Sequence, residues 1–319
     1  MEPTVLADSR SKQRWLNRVP ELMHQRRLSE LEQFEDFGKT KVEVLLSEAL
    51  KATSRGRPPE ALEDLLVEYY NHMVKKGYAQ TSAKTKYHIV RGFFSINNVK
   101  PAPLPRNLTV TGSSYEPGQL LTQEQVKAMV KMQEDPQDKA SVAFLASTGQ
   151  RKGVILGLRW DIIRLVDGYG LVEVPPTLES PDGYNVNKGR NRYKFVIIPS
   201  TMKLLKALPS LPLGYVFNTS WHQIIRAVES AADKLKIQRK IPGRVGRNWH
   251  SVHPHIFRRY WKNQMRESKA MAGMAPDEAR IFLDFNMGHI VPYTGAYDTF
   301  TDEKLIAAYK RAEEQLSVV

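Results

Sequence analysis

A chain of 319 residues, 41% hydrophobic and 25% charged, is long enough for two domains with cores of their own and too apolar to be a disordered tail. It has no cysteine, which excludes disulfides and cysteine-ligated zinc, and no apolar run long enough to span a membrane. Lys and Arg number 47 against 34 Asp and Glu, a formal net charge of +13, which points to a polyanionic partner, most often nucleic acid.

In chain order, the opening "MEPTVLADSRSKQRW" has no apolar signal core, so the protein is expected in the cytoplasm. Residues 1–55 read as a polar N-terminal helical extension that "SRGRPPE" breaks. Residues 56–100 read as a helical domain. Leu62, Leu65, Leu66, Tyr69, Tyr70 and Met73 share one helical face, and Gly77 caps that helix. A second helix from about Thr81 turns Tyr87, Val90, Phe93 and Phe94 inward. Residues 101–117 are proline-rich and aperiodic, a linker.

Residues 118–319 form the remaining domain. Thr122 and Gln125 make a capping box, and "DKASVAFLAST" is a buried helix. Two short runs, "GLVEVPP" and "YKFVIIP", read as strands, and helices return to the end of the chain. The expected fold class is therefore mainly α with a small antiparallel β-sheet in the C-terminal domain.

The basic residues are unevenly spread. Lys234, Lys236, Arg239, Lys240, Arg244, Arg247, Arg258, Arg259, Lys262 and Arg266 fall in one window without an acid, and Lys188, Arg190, Arg192 and Lys194 fall in another. Solvated faces usually mix signs, so one-sign blocks fit a surface that tracks phosphates.

Four pieces could carry chemistry. In "STGQRKGVILGLRWDII", Arg151 opens a helix, where a cation opposes the helix dipole; alone, it reads as an exposed turn residue. In "NVNKGRNRYKFVIIP", Lys188 precedes a strand, as a solvated edge lysine also would. In "HPHIFRRYWKNQM", His255 and Arg258 are three apart and share a helix face. His250, His253 and His255 lack the cysteine or carboxylate that would complete a zinc site, so no metal is expected. In "NMGHIVPYTGAYDTFT", His289 precedes Tyr293 and Tyr297, and a buried tyrosine is ordinarily core.

In order, these pieces resemble the signature of the tyrosine recombinases, the phage-integrase family. "TGQR…LGLRWDII" looks like its first arginine box, "HPHIFRR" its His-x-x-Arg box and "MGHIVPYTGAY" its Gly-His…Tyr box; the helix pair near 60–97 resembles its core-binding domain. The sequence departs from the pattern at Val154, where an acid is common, at Gln150, where leucine is usual, and in the His289-to-Tyr297 spacing of eight.

The resemblance implies a two-domain enzyme that cleaves and rejoins DNA through a 3′-phosphotyrosyl intermediate, without metal, ATP or cofactor. Tyr297 would be the nucleophile, rather than Tyr293 or the helical Tyr309. Arg151 and Arg258 would clamp the phosphate, because the planar guanidinium fork suits its charged oxygens. Lys188, with Lys194 as the alternative, would protonate the leaving sugar oxygen, His255 would take the tyrosine's proton or hold the phosphate, and His289 would donate to the phosphate. Lys188, Arg190, Arg192, Lys194, Arg239, Lys240, Arg244, Arg247 and Arg259 are the expected DNA contacts. The implied partner is double-stranded DNA at a recombination site, bound by a homotetramer in the nucleoid, away from membranes. A non-catalytic DNA-binding accessory protein on this scaffold, or a type IB topoisomerase-like enzyme, are the alternatives.

Overall fold

The structure, a computed structural model, describes residues 10–105, 108, 120–187, 191–239, 251–289 and 300–319, with Leu22 described by its backbone. The chain divides into two compact units: the described residues up to 108 belong to the first and those from 120 onward to the second.

The first unit is helical: α1 (Arg10–Leu16), α2 (His24–Gly38), α3 (Val42–Ser54), α4 (Glu60–Lys75) and α5 (Gln80–Ile96). The apolar stripe of α4 buries Leu62, Leu66, Tyr69, Tyr70 and Met73, and α5 answers with Tyr87, Val90, Phe93 and Phe94. Gly77, at φ 87°, lets the N–H of Tyr78 reach Met73 O and its own N–H reach Val74 O, which satisfies the carbonyls at the end of α4. Helices on both sides of residue 55 feed one core. Trp15 of α1 meets Phe93 edge-on at 5.7 Å between centroids, and Phe34 of α2 meets Tyr69 at 5.2 Å. The buried Glu35 carboxylate receives the N–H of Val42 at 3.1 Å and pairs with Lys41 and Lys12.

The second unit holds α6 (Gln123–Lys131), α7 (Pro136–Thr148), α8 (Lys152–Gly157), β1 (Ile163–Val166), β2 (Tyr169–Val174), β3 (Tyr193–Ile197), α9 (Pro199–Lys206), α10 (Trp221–Lys234), α11 (Ile256–Glu267), α12 (Pro276–Asn286) and α13 (Asp302–Leu316). The Thr122–Gln125 capping box forms as the sequence predicts. Every residue of α7 from Ala140 to Thr148 is buried, so this helix is the axis of the core. Phe144 on α7 packs edge-on against Phe195 of β3 and against Phe217. The mainly helical fold with a small antiparallel sheet is as expected.

The sheet has three strands in the order β1-β2-β3, one more than the two runs predicted. The added strand, β1, joins β2 through Asp167 and Gly168, both at positive φ (50° and 85°), a two-residue turn whose twist suits a hairpin. α13 buries Leu305, Ile306, Ala308, Tyr309, Ala312 and Leu316. Tyr309 is thus a core residue. Among the described residues no helix is long and apolar enough to cross a membrane.

Candidate active site

Two left-handed glycines build the site. Gly149, at φ 64°, ends α7, and Arg151 then sits at the N-cap of α8. Gly288, at φ 65°, ends α12: its N–H reaches Phe285 O and that of His289 reaches Asp284 O, so the chain reverses and presents the imidazole. Neither glycine tolerates a side chain. A Cβ at Gly149 would lie 2.7 Å from the Trp261 indole, and one at Gly288 would lie 2.7 Å from the Tyr193 ring.

Each glycine carbonyl then holds an arginine from another part of the chain. Arg258, on the first turn of α11 and only 4% exposed, donates Nη1 to Gly149 O at 2.8 Å and Nη2 to Met287 O at 3.0 Å. Arg151 donates Nη1 to Gly288 O at 3.5 Å. Arg258 Nη2 also lies 3.0 Å from His289 Nε2, while His289 Nδ1 lies 3.1 Å from Asp284 Oδ1. A consistent assignment has Nδ1–H donating to Asp284 and Nε2 accepting from Arg258, which is a neutral imidazole.

The electrostatics of the cluster are dominated by the two arginines. Burial lowers the Arg258 pKa to about 10, with repulsion from Arg151 adding to the effect, yet the group stays charged at neutral pH. Among the described residues no carboxylate forms an ion pair with Arg151 or Arg258; backbone carbonyls and, for Arg258, the His289 imidazole receive their N–H groups, which offsets part of the cost of burying charge. His255 is the N-cap residue of α11. Burial, with repulsion from Arg258, His253, Arg151 and His289, pushes its pKa down to about 4. Its ring keeps an exposed edge, where water softens that depression, and the direction leaves it neutral at physiological pH. Burial lowers His289 as well, opposed by its hydrogen bond to Asp284.

Of the residues singled out in the sequence, Arg151, His255, Arg258 and His289 come together. Lys194 does not join them. On β3 its neighbour Tyr193 points to Gln150, while Lys194 pairs with Asp302 at 2.8 Å on the strand's other side. Arg192 lies 3.7 Å from Glu173, Arg239 is exposed, and Arg259 is half-buried on α11. Tyr297, Tyr293, Lys188, Arg190, Lys240, Arg244 and Arg247 lie outside the described residues. Among the described residues no three His, Cys, Asp or Glu side chains gather as they would around a metal ion. His253 instead accepts the backbone N–H of His255 at 3.1 Å and shapes the entry to α11.

Sequence reasoning missed Asp284, Tyr193 and the role of Gln150. A signal for Asp284 existed: it stands five residues before His289 across a helix-ending glycine, a spacing at which the two side chains meet.

No family model matches this sequence, and no curated protein does. Solved structures do. The chain is similar to the Tn1549 transposon integrase in complex with circular intermediate DNA, at 15% identity over 94% of this chain and 99% of that one, with a TM-score of 0.54. It is similar to the XerH site-specific recombinase bound to a palindromic difH substrate after cleavage, at 14% identity over 95% of each chain, with a TM-score of 0.53. The Tn1549 integrase in complex with transposon right end DNA gives 15% identity, 96% and 99% coverage, and 0.52. At these identities the likeness is one of fold, and the fold of this chain is that of the tyrosine recombinases and integrases.

Proposed function

We propose that this protein is a site-specific tyrosine recombinase or integrase that cleaves and rejoins strands of duplex DNA through a 3′-phosphotyrosyl link at Tyr297, without metal or ATP. The observation that carries the reading is the convergence of Arg151, Arg258 and His289 around two glycine carbonyls, with no carboxylate paired to either arginine among the described residues. A phosphodiester under attack spreads charge over its non-bridging oxygens, and two fixed guanidinium forks meet that charge. The fold shared with an integrase and a recombinase captured on DNA supports the same substrate class.

In the proposed reaction the Tyr297 oxygen attacks phosphorus, the bond to the 5′ oxygen breaks, and Lys188 gives that oxygen its proton. His255, neutral at physiological pH, accepts the tyrosine proton. His289 meets a phosphate oxygen through Nε2 once that nitrogen carries a proton, and Asp284 across the ring favours the imidazolium. The phosphotyrosine keeps the energy of the broken bond, so rejoining needs no nucleotide. Arg190, Arg192, Arg239, Lys240, Arg244, Arg247 and Arg259 would follow the backbone of the duplex, with four protomers assembled on it.

The test is recovery of a detergent-resistant protein–DNA adduct from fragmented genomic DNA of the source organism, in the presence of EDTA. Wild type is expected to form it, and Arg258→Ala to bind DNA without forming it. Tight DNA binding by wild type with no adduct would contradict the proposal and favour the accessory-protein alternative.

A further inference from the structure

We infer that Gln150 is a positioning residue of this site: its buried carboxamide sets the separation of the Arg151 turn from the Gly288–His289 turn. Gln150 is fully buried between Gly149 and Arg151. Its Nε2 donates to Asn286 O at 2.7 Å and to Thr148 O at 3.3 Å, and its Oε1 accepts the Tyr193 hydroxyl at 3.1 Å. Both N–H groups and the oxygen are thereby used. Turning the amide over would set its oxygen against two carbonyls, so its orientation is fixed.

The partners explain what the amide does. Asn286 O belongs to the last turn of α12, where carbonyls lack intrahelical donors. Gln150 supplies that donor from a turn 136 residues away. Tyr193, held by its hydroxyl, lays its ring against Gly288 so closely that a Cβ there would collide. The amide therefore ties the residue before Arg151 to the turn that carries His289, directly through Asn286 and again through Tyr193. Arg151 needs this support. Among the described residues its side chain has one hydrogen bond, the long one to Gly288 O. Val154, three residues on, is packed into the core and offers no carboxylate. A leucine at 150 would fill the space and hold neither partner.

The consequence for strand cleavage rests on the function proposed above; the consequence for geometry does not. Two variants separate them: Gln150→Met keeps length and loses the amide, and Tyr193→Phe keeps the ring and loses one bond, which covers a Gln150→Met that fails to fold. The first measurement is an NMR titration of His289 in the DNA-free protein. Among the described residues, the charged and titratable groups around it, Asp284, Lys262, Arg258, His255 and Arg151, are untouched in both variants. Loosening the turn relieves burial and arginine repulsion, so the His289 pKa is expected to rise by about half a unit or more. An unchanged titration in both variants would overturn the inference.

The second measurement is single-turnover adduct formation on the recovered DNA fragment, as phosphate and as neutral methylphosphonate at the cleaved position. A residue acting through Arg151 loses about ten- to a hundred-fold on phosphate and stays within about threefold on the uncharged substrate, which asks less of the arginine. Equal losses on both would make Gln150 merely structural. Absence of any adduct with wild type would remove the proposed function and leave the titration to decide the inference.

Discussion

Arg258 concentrates the chemistry of the site in one side chain. It is buried, charged, and shared between two backbone carbonyls and an imidazole. Lysine keeps the charge and loses the fork. Arg258→Lys is expected to lower single-turnover cleavage about a hundred- to a thousand-fold. It should also lower stability by about 1–3 kcal/mol in urea denaturation, because Gly149 O or Met287 O is left without a donor. His255 sets a pH dependence. Its folded pKa lies below the unfolded value, so below about pH 6.5 the unfolded chain binds more protons and stability falls as pH drops toward 4. The urea midpoint of His255→Gln is expected to change less over that window than that of wild type; equal slopes would contradict the assignment. Arg151, His255, Arg258 and His289 were singled out by their order along the chain, which resembles a family signature; only His255 and Arg258 also share a local helical spacing. The role of Gln150 was not legible. Its partners lie 136 and 43 residues away, and a glutamine in a turn has no local reason to be buried.

At the level of elements, the site depends on two helix ends rather than on two helices. Gly149 and Gly288 combine a left-handed backbone with a ring pressed on the Cα. Gly149→Ala and Gly288→Ala are each expected to cost about 2–5 kcal/mol, the sum of backbone strain and overpacking. Gly183→Ala is the control: φ is also positive there, but no atom lies within 4 Å of the added Cβ, so about 1–2 kcal/mol of backbone strain is the whole effect. Thermal melts of the three distinguish strain from packing, and equal losses would show that the rings do not matter. Gly77 was readable as a cap because a long amphipathic helix leads into it. β1 was missed although its Asp167-Gly168 turn was in plain view, because Ile163–Val166 is short and half-exposed and its apolar residues do not alternate.

For the whole molecule, periodicity made the helix-rich architecture legible, since it is summed over many residues, and net charge pointed to the proposed partner class. Periodicity did not reveal that the helices of residues 10–54 bury Trp15, Phe34 and Val42 in the same core as α4 and α5, because a polar helix hides a narrow apolar stripe. With a net charge of +13, the proposed DNA binding is expected to be governed by counterion release. Log affinity is expected to fall linearly with log salt, and Arg239→Ala and Arg259→Ala to reduce that slope by about one each. Anisotropy titrations from low to high salt check this, and an unchanged slope would remove those residues from the interface.

The central claim is that a tyrosine of this chain becomes covalently joined to DNA, and that the tyrosine is Tyr297. Mass mapping of the peptide left on nuclease-trimmed adduct tests it most directly. The account predicts a nucleotide on Tyr297, and an adduct that Tyr297→Phe abolishes while Tyr293→Phe retains it. A nucleotide on Tyr293, or an adduct that survives Tyr297→Phe, would contradict it.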